Sequence, residues 1–356
     1  MNRLKIVLFL LLFTCSIGCH SNDDEETTIQ TEQKNPDSEE EQSDTIENEF
    51  ETVQNAVEEY GQLRVAGNKI VDQNGDPVTL RGMSFFWSQW IGKYYTPEVV
   101  EWLKDDWRCT VVRAALAVDH DGYLDHPERE REKIIAVIDA AIEQGLYIIV
   151  DWHDHEAENQ LEEAKAFFGE IAKLYGDYPN IIYETYNEPL DVSWNQVLKP
   201  YHEAIIDTIR AFDPDNLIIC GNRNWSQQVD EPAANPIDDE NVAYTLHYYA
   251  STHKKWLRDR ADQALSKGIA IMVTEYGTTE ATGDGFIDVE SSNEWWEWME
   301  ENHISYLNWS IADKNENSAA LKPGASIKGG WPQDMVTESG HLVREQLRSK
   351  NPPPEE

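Results

Sequence analysis

An α/β domain built as a (β/α)8 barrel of the TIM type, with an N-terminal hairpin at the barrel bottom, is the fold this sequence predicts from three observations. The stretch 60–350 is long for one ordinary domain but suits a barrel of about 250 residues with extensions. Within it, eight apolar runs alternate with amphipathic segments, the pattern of a parallel sheet wrapped by helices, and eight is the number that closes it. Nearly every run also ends in polar residues, which belong at the C-terminal mouth of such a barrel.

Taken in order, Tyr60–Asp76 alternates and carries an Asn74-Gly75 turn signal, so it reads as a hairpin plugging the bottom. Strands are expected at Val78–Ser84, Thr110–Ala115, Tyr147–Trp152, Ile181–Asn187, Leu217–Gly221, Val242–His247, Ala270–Thr274 and Ile304–Ile311. Helices are expected at Thr96–Asp106, Pro127–Gln144, Leu161–Tyr175, Trp194–Phe212, Thr252–Ser266, Ile287–Glu301 and His341–Arg348. Between Gly221 and Val242 the chain is too rich in Pro and Asn for a long helix. Cys109 and Cys220 fall on strands that are not neighbours, and two buried free thiols are expected.

The polar residues collected at the strand ends are Arg113, His153, Asn187 with Glu188, Asn222 with Trp225, His247 with Tyr249, Glu275, and Trp309 followed by Lys314 and Glu316. Glu188 ends the fourth run, where Pro189 stops the strand from continuing, and Glu275 ends the seventh. In an eight-stranded barrel those strands lie nearly opposite. Two carboxylates across one groove are what glycosidic bond cleavage needs: one protonates the leaving oxygen, the other attacks the anomeric carbon or activates water. Arg113 and Tyr249 are expected to hold Glu275 ionised as nucleophile, and a less polar setting to keep Glu188 protonated as acid and later base. Trp309 and Trp90, with polar neighbours, read as faces on which sugar rings stack, whereas Trp102, Trp107 and Trp298 read as core.

The ordered motifs carry a resemblance. YGQL at Tyr60–Leu63, RGMS at Arg81–Ser84, WLKDDW at Trp102–Trp107, VVRAA at Val111–Ala115 and DWH at Asp151–His153 are followed by YGDYPNIIYETYNEP at Tyr175–Pro189. NWSQ at Asn224–Gln227, HYYA at His247–Ala250, TEYG at Thr274–Gly277 and NWS at Asn308–Ser310 complete the set. Together they resemble glycoside hydrolase family 5, the retaining (β/α)8 cellulases and their relatives. The resemblance implies an endo-β-1,4-glucanase with Glu188 as acid/base and Glu275 as nucleophile. It implies that Arg113, His153, Asn187, His247, Tyr249 and Trp309 line the cleavage subsite, and that Trp90, Lys314 and Glu316 hold sugars on the non-reducing side. Phe86 and Ala117 depart from the nearest subgroup, which often has His and Tyr there, and only the sugar contacts depend on them. The alternatives are the same fold acting on mannan, xyloglucan or mixed-linkage glucan, or a non-catalytic surface glycan-binding protein.

Neither cofactor nor metal is expected. His153-Asp154-His155 has the His-x-His spacing of metal-dependent barrel hydrolases, but it falls on the third strand, and only His247 could join it. Residues 1–18 read as a signal peptide, with Arg3 and Lys5 before an apolar run. Ser16–Cys19 resembles a lipobox, which would place a lipid on Cys19, and the acidic residues that follow resemble a surface-export tag. A cell-surface lipoprotein is therefore expected, with free secretion as the alternative. Residues 19–59 are acidic and almost without aromatics, as in a disordered tether, and 351–356 form a tail. The formal net charge of -38 argues against nucleic acid or anionic membrane as partner and leaves a neutral β-glucan compatible. The chain is expected to be a monomer.

Overall fold

The computed structural model describes residues 55–351. Eight parallel strands form the closed barrel: β3 (Arg81–Phe85), β4 (Val111–Ala117), β5 (Tyr147–His153), β6 (Ile181–Glu184), β7 (Leu217–Cys220), β8 (Val242–Tyr249), β9 (Ile271–Gly277) and β10 (Tyr306–Ile311), with β10 pairing both β9 and β3. Helices cover the outside, so nearly every strand position is buried and the runs read as continuously apolar.

The period of two along each strand divides this core. Val111, Tyr147, Ile149, Ile182, Leu217, Ala243, Met272 and Leu307 point inward as one cluster, while Val112, Ala114, Ile148, Val150 and Ile218 pack against the helices. The inward cluster is sealed from below by Leu63, Ile70, Val78 and Leu80. The same inward rows, followed upward, become Arg113, Asp151, His153, Glu184, Thr245 and His247. The apolar floor therefore turns into a polar mouth within one barrel height.

The plug is a hairpin of β1 (Arg64–Ala66) and β2 (Lys69–Val71), and its turn is at Gly67-Asn68, not at Asn74-Gly75. The latter is a second turn, tied by Asp72 Oδ1 accepting from the backbone N–H groups of Asn74, Gly75 and Asp76 at 2.7–2.8 Å. The helices Pro127–Gln144 and Leu161–Tyr175 match the expected bounds. The first ends on Gly145 in the left-handed region (φ 67), whose N–H caps the carbonyls of Ala141 and Ile142. The helix expected at Trp194–Phe212 runs without a break from Trp194 to Arg210, but its first turn is not α-helical. Pro200 has no N–H to give, and a wide π turn at Trp194–Leu198 precedes the α-helix Lys199–Arg210.

Both edges of the folded unit move outward from the expected 60–350. Ala56–Tyr60 is a helix capped by Asn55, and Val57 N–H donates to Gly145 O at 3.1 Å, so the last residues assigned to the tether belong to the fold. Asn351, assigned to the tail, is buried, accepting from Arg81 at 3.0 Å and donating to Arg108 O at 2.7 Å. The signal peptide, Cys19, the rest of the tether and 352–356 lie outside the described residues. Cys109 and Cys220 are buried free thiols.

Candidate active site

Glu188 is placed by a short extension beyond β6, which ends at Glu184 and not at Asn187. Asn187 and Glu188 still donate backbone N–H groups to Trp152 O and Asp154 O at 3.1 and 3.2 Å, so the segment keeps its seat beside β5. The neighbouring loop braces it from the other side. Asn224, Trp225 and Ser226 all have left-handed φ of 54–56°, a costly run for residues with a Cβ. Trp225 N–H donates to Pro189 O at 2.9 Å, Asn224 N–H to Leu190 O at 3.1 Å and the Ser226 hydroxyl to Asn187 O at 2.8 Å. The strained turn is thus tied to the Asn-Glu-Pro loop and fixes it.

Glu275 comes inward through a bulge. Thr245 pairs with Met272 and His247 with Glu275, so β8 advances two residues while β9 advances three. One extra residue turns Glu275, which strict alternation would aim outward, to the inside beside His247. Tyr249 follows on β8. Its ring lies over Gly277, where a Cβ would come within 2.3 Å of the ring, and this close approach lets its hydroxyl donate to Glu275 Oε1 at 2.8 Å.

Beneath the pair, Arg113 is fully buried. It meets Glu184 at 2.7 Å, Asp151 at 2.9 Å, Glu275 Oε2 at 3.2 Å and Asn187 Oδ1 at 2.6 Å. Asn187 is left with a buried Nδ2 donor that has no partner among the described residues. His247 Nδ1 lies 2.9 Å from Glu188 Oε1 and its Nε2 2.9 Å from Thr274 Oγ1. One oxygen each from Glu188 and Glu275, with a nitrogen of His247, lie within 4.8 Å of one another.

Burial raises the proton affinity of Glu275, and the facing Glu188 raises it further, against the pull of His247, Arg113 and the Tyr249 hydroxyl. The expectation that Arg113 and Tyr249 alone would settle its charge gave too little weight to desolvation. Nor is Glu188 in a less polar setting. It sits between His247 and His155, whose Nδ1 is 3.7 Å from Glu188 Oε2, and its side chain is 13% exposed. Position rather than polarity therefore distinguishes the two carboxylates.

Burial lowers the affinity of His247 for its proton, but Glu184, Glu188 and Glu275 more than reverse this and push its pKa up from 6.5 to about 9. The folded protein holds that proton where the unfolded chain releases it. This contribution to stability is fully present below pH 6.5 and is lost as pH rises through about 9. Denaturant midpoints measured across this window should fall, and His247→Gln should flatten the fall. A wild-type midpoint that rises with pH there would count against a charged His247.

Two lobes of cavity meet at Glu188. The first, about 280 Å³, is lined by Trp90, His153, Tyr249, Glu275, Trp309, Lys314 and Glu316 together with Phe86, Trp87 and His155. The second, about 520 Å³, is lined by Trp225, Gln227, His247, Tyr249 and His253. Glu188 borders both and Glu275 only the first. Every expected site residue is therefore in the walls or, for Arg113 and Asn187, against them.

Details differ from expectation. Trp309 is only 5% exposed, stacked parallel on His153 at 5.0 Å, while Trp90 is 56% exposed. Trp107 is fully buried, and Trp102 and Trp298 pack against the core. Phe86 receives Lys314 Nζ at 5.3 Å over its ring, and Lys314 also pairs with Glu316, so the departure from the subgroup builds a shelf for the lysine. The His-x-His pair diverges. His153 Nδ1 bonds Asp151 at 2.6 Å, whereas His155 contacts Glu188 from the loop and lines the cleft. Among the described residues, the three-ligand group that could share an ion is Glu188, His247 and Glu275, without either of them.

A (β/α)8 barrel with an acid pair at its mouth, one member bordering two cavity lobes, defines the class. The family model "Cellulase (glycosyl hydrolase family 5)" matches residues 71–315, and the chain belongs to that family. It is 47% identical over 279 residues to Endoglucanase A of Evansella cellulosilytica, covering 77% of this chain and 57% of that protein. It is 44% identical over 297 residues to Endoglucanase N of Pectobacterium atrosepticum, covering 82% and 67%. The chain thus spans 57% and 67% of the length of these two relatives. A solved structure from Cytophaga hutchinsonii has 54% identity and a TM-score of 0.83, covering 84% of this chain and 98% of that one. The catalytic domain of a Thermobifida fusca endoglucanase, in complex with cellotetraose, has 35% identity and a TM-score of 0.79, covering 82% and 99%.

Proposed function

We propose that this protein is a retaining endo-β-1,4-glucanase that cleaves cellulose-like glucans by double displacement. The approach of Glu188 and Glu275 oxygens to within 4.8 Å carries the reading. A facing pair this close suits retention, in which the carboxyl groups stand about 5–5.5 Å apart; inversion sets them about 6.5–9.5 Å apart to admit a water, and the anomer first released distinguishes the two. Relatives described as endoglucanases, one solved with cellotetraose, support a β-1,4-glucan as substrate.

The glucosyl unit to be transferred sits in the first lobe. Arg113 and the Tyr249 hydroxyl each hold one oxygen of Glu275, leaving the carboxylate oriented for attack on the anomeric carbon. Glu188, on the border of both lobes, protonates the glycosidic oxygen, and the leaving chain occupies the second lobe. Esterification then removes the negative charge of Glu275. Glu188 next takes a proton from water, which attacks the same carbon, and two inversions give net retention. Access from both lobes suits cleavage within a chain.

Soluble β-1,4-glucan, mannan, xyloglucan and mixed-linkage glucan, each followed by reducing ends, viscosity and the first anomer released, test this. The expected outcome is fastest release from β-1,4-glucan, early loss of viscosity and β-anomer first. α-Anomer first would exclude retention, and glucan binding without any new reducing ends would mean a binding protein. The proposal extends to export and a lipid on Cys19, supported by the leader and the Ser16–Cys19 motif.

A further inference from the structure

Trp256 has no place in the cleft as described so far. It stands in the first turn of the helix Lys255–Ser266 and is 47% exposed, while Leu257, Ala261, Ala264 and Leu265 face the core.

Two separate links tie the indole to residues that line the second lobe. His253, which lines that lobe, has its ring centroid 5.8 Å from that of Trp256. Arg260, one turn along the helix, lies 5.4 Å over the Trp256 ring and donates to the backbone oxygen of Gln227, another lining residue, at 3.0 Å. Arg260 also pairs with Asp230 at 3.4 Å, so the guanidinium is held from several sides. The ring is therefore covered on one side by a fixed cation and set in place before any ligand arrives. Preorganisation of that kind spares the ordering cost of binding. Indole faces suit the C–H faces of β-linked pyranoses, and a face held still at the rim suits an extended chain.

The two lobes fix the polarity. The anomeric carbon under attack lies with Glu275 in the first lobe, and the departing chain lies with Trp225 and His253 in the second. We propose that Trp256 is a distal glucan-binding platform on the leaving-group side, engaged only by chains long enough to pass Trp225 and His253. This rests on the assignment of Glu188 and Glu275 to a retaining glucanase.

The test compares wild type, Trp256→Ala and Trp256→Phe on p-nitrophenyl β-cellobioside and on a long soluble β-1,4-glucan, with affinity electrophoresis in the same glucan. Trp256→Ala should lose roughly five- to tenfold in kcat/KM on the long glucan, mostly through KM, with the cellobioside within about twofold of wild type. Its retardation in the glucan gel should weaken, and Trp256→Phe should keep most of both. Unchanged kcat/KM on the glucan together with unchanged retardation overturns the platform. Equal loss on both substrates also overturns it, since that is the signature of a general structural role. If wild type cleaves neither substrate the glucanase reading fails, and the gel alone then decides the platform.

Discussion

Glu275→Ala should lower kcat on β-1,4-glucan by on the order of 10⁴-fold or more, because it removes the oxygen that forms the covalent intermediate in the proposed mechanism. The fold should survive. Arg113 loses its 3.2 Å contact but keeps Glu184 at 2.7 Å and Asp151 at 2.9 Å, so no buried cation is left unpaired. One negative charge also leaves a site that holds more carboxylates than cations. Glucan binding should therefore persist while turnover stops. The vacated volume suits a small anion. With an activated aryl β-cellobioside, azide should restore turnover and give the α-glycosyl azide, the product of a single inversion. A variant retaining more than about 1% of wild-type kcat, or a β-azide product, would remove Glu275 from the nucleophile's role.

The strand ends were legible because apolar β-branched runs stop at polar residues, and parallel strands buried on both faces leave that pattern in the sequence. The Asn187-Glu188-Pro189 stop is the plainest case. Less could be read where one residue changes the geometry. The bulge that turns Glu275 inward depends on the pairing of β8 with β9, and nothing local in Thr274-Glu275-Tyr276-Gly277 marks it. Glu184 and Asp151 sit inside apolar runs, and their role as counter-charges to Arg113 follows only from closure, which brings β4, β5, β6 and β9 around one guanidinium. The left-handed turn at Asn224–Ser226 was hidden for a similar reason. No glycine announces it, and the bonds that compensate its strain come from the Asn-Glu-Pro loop 34 to 39 residues earlier. Proton affinities were the hardest to foresee, since they depend on burial depth: Glu275 is 4% exposed.

Glu188→Gln should separate the two chemical steps. On glucan, whose alkoxide leaving group needs a proton, kcat should fall about 10²- to 10⁴-fold. On a dinitrophenyl β-cellobioside the first step needs no acid, so the glycosyl-enzyme should form at near wild-type rate and then accumulate, giving a burst of phenol followed by slow turnover. Azide should relieve the slow step and yield the β-azide, opposite to its product with Glu275→Ala. The amide can still accept from His247, so the 2.9 Å contact need not be lost. Its neutrality, however, removes the like charge that helps raise the proton affinity of Glu275. Attack requires ionised Glu275, so the acidic limb of kcat/KM on the activated substrate should move to lower pH than in wild type. Equal losses on both substrates, with no burst and no movement of that limb, would mean that Glu188 positions substrate rather than transferring the proton.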